Sequence, residues 1–259
     1  MIRPPAAAGT FYPADAAELA ATVDALLSAA STPPTDGRPR ALVVPHAGYR
    51  YSGSVAAQAY AMLASRSPAR VVLLGPAHFV RLSGCAVPRA VAWHTPLGQV
   101  RIDAAARDLA LAVHGIRADD GPHAPEHALE VQLPFLLRSV GPDVPVLPVA
   151  AHGSPAAIAD LLDAVAADPD TLVVASTDLS HHLPDAEARR RDARTTDAVL
   201  RLRPNLVADR SACGLHALRG LLSWSGRSGL TALLLGYATS ADAGGDPDRV
   251  VGYAAFAFA

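Results

Sequence analysis

The chain has no lysine; all 22 of its basic residues are arginine. That excludes a lysine Schiff base and a phosphate loop built around a lysine. Only two cysteines, Cys85 and Cys213, occur in 259 residues, too few for a disulfide scaffold. No run approaches the roughly 18 consecutive apolar residues of a membrane helix, so no membrane association is expected. The N-terminal MIRPPAAAGTFYP has no long apolar stretch of the signal-peptide kind, and a cytoplasmic location is the expectation. The net charge is −2 with no long basic run, so nucleic acid is not an expected partner. The motifs GxGxxG, CxxC and GxSxG are missing, and the spacing in EHALE is not HExxH.

What is present suits a large core: 51% of residues are hydrophobic and 18% charged. ALVVP (41–45), RVVLLG (70–75), VPVLPVA (144–150) and TLVVAS (171–176) are short runs rich in Val and Leu. Such runs fit strands buried on both faces. Asp15, with Glu18 three residues on, caps a helix running to about residue 30. A loop is expected over 31–40. Further helices are expected over 54–65, 103–113, 125–139, 155–166 and 185–202. TALLLGYATS and RVVGYAAFAF read as two more strands. Strands alternating with helices predict an α/β fold of one domain over 1–259, with a largely parallel central sheet and helices on both faces.

The strand ends carry the chemistry. ALVVP runs into His46, RVVLLG into His78, VPVLPVA into His152, and TLVVAS into Asp178, His181 and His182. In open α/β sheets ligands bind beyond the carboxyl ends of the strands. Parallel strands would therefore line these groups along one edge as a metal-capable site. His152 and His182 are read as loop residues that hydrogen-bond a carbonyl. Around His46, the stretch HAGYRYSG reads as a tight loop, with Gly48 and Gly53 in unusual torsions and Ser52 or Ser54 capping the next helix. Gly75-Pro76 would fix the position of His78.

Cys213 lies in ADRSACGLHALRGLLSW. With Asp209 or Ser211 as cap, it would sit in a helix's first turn, where the unpaired amides favour thiolate. The alternative is an inert buried thiol, the reading given to Cys85. Glu126, His127 and Glu130 fall in PEHALEVQLPFL. On a helix, His127 and Glu130 would share a face and orient a metal site, or form an ordinary solvated helix start.

RPPAAAGTFYP, PHAGYRYSG, LGPAHF, EHALEVQLPFL, STDLSHH and the ACG at Cys213 together closely resemble the Memo family, whose bacterial members are called AmmeMemoRadiSam system protein B. The motifs occur in the family's order from Arg3 to about Leu222. The resemblance implies a fold like that of class III extradiol dioxygenases. It also implies a pocket with His46, His78 and Cys213 in the metal-ligand positions. By the same resemblance His181, with Asp178 nearby, is similar in place to an acid/base histidine, and His127 is a further catalytic-pocket residue. Dioxygenases hold Fe(II) with two histidines and a carboxylate; here the third position is a thiolate, which is softer and can itself be oxidised.

Three functions follow as expectations. One is an iron(II)-dependent oxidoreductase, dioxygenase-like, acting on a small organic substrate, with copper or zinc as other metals. Another is a non-catalytic metal- or ligand-binding accessory protein associated with a radical-SAM partner. Zinc-assisted hydrolysis at the same ligands ranks last, since carboxylates for a two-metal site are lacking.

Overall fold

The computed structural model describes residues 1–31, 38–64 and 67–259. In chain order its elements are β1 (Ile2–Arg3), α1 (Ala16–Ala29), β2 (Ala41–Val44), α2 (Tyr49–Ala61), β3 (Arg70–Gly75), β4 (Cys85–Val87), β5 (Ala92–Thr95), β6 (Gly98–Arg101), α3 (Ala104–Leu111) and β7 (Ile116–Ala118). They continue with α4 (Leu133–Ser139), β8 (Val146–Ala150), α5 (Pro155–Val165), β9 (Thr171–Ser176), β10 (His181–Leu183), α6 (Asp185–Leu200), α7 (Leu215–Arg227), β11 (Ala232–Thr239) and β12 (Val250–Phe258).

The four Val/Leu-rich runs form the centre of the main sheet, in the order β2-β9-β3-β8, all parallel. Their side chains divide by parity. Val43, Val72, Leu74 and Val173 enter one core with Ile158 and Leu162 of α5 and Leu218 of α7. Leu42, Val44, Val71, Leu73 and Val174 enter a second with Leu19 of α1, Tyr60 of α2 and Phe135 of α4. Both faces are covered, which is why these strands read as continuous apolar runs and not as alternating ones. Each such side chain contributes roughly 1.5–3 kcal/mol on burial. No helix of the described residues is long and apolar enough to cross a membrane.

The α/β class stands as expected, and the sheet is parallel at its centre but mixed overall. β12 runs antiparallel to β2, β10 and β11, and β4 runs antiparallel to β8. A separate small sheet has the order β1-β5-β6.

Several expected boundaries move. α1 is capped by the Asp15 carboxylate, which accepts the Glu18 amide. α2 begins at Tyr49, so Ser52 and Ser54 do not cap it, and Gly48 stands at its N-cap. Gly53 is inside this helix, where a β-carbon would come within 2.9 Å of Leu26; it serves close packing, not a turn. The expected helix over 125–139 is a turn, then a 3-10 segment at Glu130–Gln132, then α4. α7 starts at Leu215 with Gly214 as cap, so Cys213 precedes the helix and neither Asp209 nor Ser211 caps it. Most of the expected loop at 31–40 and the end of the 54–65 helix lie outside the described residues.

Candidate metal centre

The parallel register brings the carboxyl ends of β2, β9, β3 and β8 to one edge: Val44 pairs with Ser176, Leu74 with Ala175 and Gly75 with Ala150. His46 follows β2 by two residues and His78 follows β3 by three. Cys213 comes to the same edge from the loop before α7. One donor atom from each of these three side chains lies within 4.8 Å of the other two. Cys213 Sγ is 3.1 Å from His46 Nε2.

Hydrogen bonds fix which nitrogen of each ring is free. Ser176 Oγ donates its proton to the Ala128 carbonyl at 2.7 Å. It then has only lone pairs for Gln132 Nε2 and His46 Nδ1, each 2.9 Å away. His46 must therefore donate from Nδ1, which leaves Nε2 bare and facing the sulfur. Gln132 is held in turn by the Pro45 carbonyl at 2.9 Å. On the other side, Glu126 Oε1 lies 2.9 Å from His78 Nδ1. Burial raises the Glu126 carboxyl, but hydrogen bonds from His78 and the Ala128 amide prevail and bring it down to about 2. An ionised carboxylate only accepts, so His78 too donates from Nδ1 and presents a free Nε2. His46 is kept neutral, its pKa lowered to about 3 by burial and by the neighbouring His78.

Cys213 is seated by backbone. The Asp178 amide points at its sulfur from 3.2 Å, and its own amide donates to the Asp178 carbonyl at 3.2 Å. The next residue must be glycine: a β-carbon on Gly214 would stand 2.6 Å from the Ser176 carbonyl oxygen and 2.7 Å from Thr177 Cβ. Burial works against the thiolate that a helix's first turn would favour. Burial pushes the Cys213 thiol well above its ordinary value, with the Asp178 charge adding to the effect. Thiolate would form there with a bound cation, which deprotonates a coordinating thiol.

The other expected residues divide. Asp178 is buried beneath His46, whose amide it accepts at 2.7 Å, and burial raises its carboxyl pKa. His127 is in the site: its ring centroid is 4.9 Å from that of His78 and 5.5 Å from that of His46. Burial, with the proximity of His46 next, lowers its pKa to about 4. His181 is exposed at the start of β10, with Nδ1 2.8 Å from the Leu179 carbonyl. Glu130 does not share a face with His127. It is buried against the N-terminal segment, accepting from Arg3, the Ala6 and Ala7 amides, and Tyr12. His182 accepts from Arg249 Nε at 3.3 Å rather than donating to a carbonyl. His152 Nδ1 has no partner among the described residues.

Ser176, Gln132 and Phe11 were not singled out from the sequence, yet each shapes the site. Phe11 stacks on His127 at 4.2 Å between ring centroids. All three lie inside the motifs quoted above, and that was the available signal.

A family profile described as "Memo-like protein" matches residues 3–257. The chain is 35% identical over 268 residues to a MEMO1 family protein of Aquifex aeolicus, covering 99% of each. It is 37% identical over 282 residues to a MEMO1 family protein of Methanopyrus kandleri, covering 100% of this chain and 99% of that one. A crystal structure of an uncharacterized Escherichia coli K12 protein superposes with a TM-score of 0.54 at 15% identity, covering 84% of this chain and 99% of that one; this likeness is one of fold.

Proposed function

The chain belongs to the Memo-like protein family, and from that premise we propose that it binds a metal ion through His46 Nε2, His78 Nε2 and Cys213 Sγ to act as a dioxygenase-like oxidoreductase on a small organic molecule. The observation that carries the reading is the convergence of two imidazoles, each with its Nδ1 proton already committed, on one sulfur. Donors of a tetrahedral ion with ordinary Zn–N and Zn–S bonds lie about 3.5 Å apart, close to the 3.1 Å between Sγ and Nε2. Imidazole and thiolate suit iron(II), copper or zinc better than magnesium or calcium.

When bound, iron(II) or copper would supply one-electron chemistry and polarise an oxygen ligand. The chain's own residues do the rest. Ser176 and Glu126 hold the two rings in their coordinating tautomers. Asp178 fixes the backbone of His46. His181, whose Nδ1 is committed to Leu179, has Nε2 free to take or return a proton. His127, stacked on Phe11, stands beside both ligand rings.

The test is anaerobic purification, elemental analysis and oxygen uptake with a panel of phenols and catechols. Loss of bound metal in His46→Ala, with uptake in the wild type, is the expected result. Unchanged metal in that variant would sink the ligand assignment. Metal retained with no uptake across the panel would favour the binding role beside a radical-SAM partner.

A further inference from the structure

The cavity next to Cys213 has a volume of about 340 Å³, and its lining combines apolar and basic side chains. Val80 and Leu82 contribute apolar surface, while Arg81, His152 and His216 contribute basic groups, and Cys213 is also in the lining. No acidic side chain lines it among the described residues. We propose that this cavity takes the carboxylate of a small organic acid, so that the substrates are monocarboxylic acids with a compact apolar body. The proposal deepens the metal reading, on which it rests for what happens at Cys213.

Arg81 is the central observation. Some arginines are neutralised by acidic neighbours, as Arg138 is by Asp24 and Arg227 by Asp160 and Asp163. Arg81 forms no ion pair or hydrogen bond among the described residues, and it faces a cavity without acids. A guanidinium offers parallel N–H groups that match a carboxylate bidentately. The two histidines extend the polar wall, with ring centroids 4.2 Å apart. His216 Nδ1 is spent on the Gly153 carbonyl at 2.8 Å, so its Nε2 is the atom left for a ligand.

Charge count selects the head group. The site has one permanent cation, which matches a monoanion better than a dianionic phosphate. The cavity volume falls near the lower end of small-molecule sites, the scale of a single-ring acid and not of a peptide.

The experiment uses the full chain stripped of metal with a chelator and titrated with benzoate and with its neutral isostere benzamide. Benzoate should bind at least about tenfold tighter than benzamide. Arg81→Gln should erase that difference by weakening benzoate about tenfold or more, with benzamide unchanged. Arg81→Lys should recover part of it. Arg81 is exposed and unpaired, so its replacement is expected to leave folding and metal content as in the wild type. Absence of benzoate binding, equal binding of benzoate and benzamide, or an unaffected Arg81→Gln variant would each overturn the proposal. Because the titration is done without metal, a failed ligand set at His46 and a failed carboxylate site give separate results.

Discussion

Cys213 Sγ lies 3.1 Å from His46 Nε2, although 167 positions separate the two residues in the chain. Burial works against charge on both groups, raising the thiol and lowering the imidazole. Charge arrives with a cation, which makes sulfur the most informative probe. Cys213→Ser should lower affinity for zinc or copper(I) by more than the roughly 10–100-fold typical of an outer residue. It should also abolish the thiolate charge-transfer absorption of the cobalt(II)-loaded protein. Retention of that band in the variant would remove Cys213 from the ligand set.

The two tautomer locks make a second prediction. Ser176→Ala and Glu126→Gln each leave the ligands in place but loosen one ring, and each should weaken metal binding by about 10–100-fold. Ser176→Ala should also cost about 1–3 kcal/mol of stability, because Gln132 and the Ala128 carbonyl both lose a buried partner. Competition with a chromophoric chelator, beside urea unfolding, separates the two effects.

Stability of the metal-free protein should fall in mild acid. His123 and His127 have folded pKa values lowered to about 4, and His46 to about 3, burial being the chief cause in each. The unfolded chain therefore binds more protons than the folded one below about pH 6.5. The stability these neutral rings confer is present above about pH 6.5 and is lost as pH falls through about 4. Each contributes a slope of up to about 1.4 kcal/mol per pH unit in that window. His123 lies against Trp93, apart from the metal site, so His123→Gln should reduce the slope without touching metal affinity. Urea midpoints measured from pH 7.5 to 4 would show an unchanged slope if the reasoning is wrong.

Glu130 is a structural anchor. Its carboxylate, wholly buried, gathers Arg3, two backbone amides and the Tyr12 hydroxyl onto the turn that also carries Glu126 and His127. Removing one partner of a buried pair typically costs about 3–5 kcal/mol. Glu130→Ala should therefore lower the thermal midpoint sharply, while Glu130→Gln should cost less. A midpoint within two or so degrees of wild type for Glu130→Ala would contradict this role.

The central strands were legible because burial on both faces writes an unbroken apolar run, and their ends located His46 and His78. The short strands β4 to β7 were not: three or four residues carry no readable period. The turn at 125–129 was missed because residues such as Ala128 and Leu129 look helical. The Glu126 carboxylate there accepts the Ala128 amide nearby and the His78 amide from far along the chain, and the second tie leaves no local pattern. The helix after Cys213 was expected three residues too early, from Ala212 and not Leu215, for a similar reason. Gly214, required by the close approach to Ser176 and Thr177, ends up as the cap in place of the better-looking Asp209 and Ser211.

The order of β2, β3 and α7 along the chain has a consequence for how the protein is made. Two of the three donors, at positions 46 and 78, leave the ribosome early, and the third waits until residue 213 has been synthesised. Until the loop before α7 closes onto the end of β9, this edge of a nascent chain's sheet offers an ion two imidazoles and no sulfur. Metal capture would then be a late event of biogenesis, and a chain truncated before Cys213 would hold an ion only weakly.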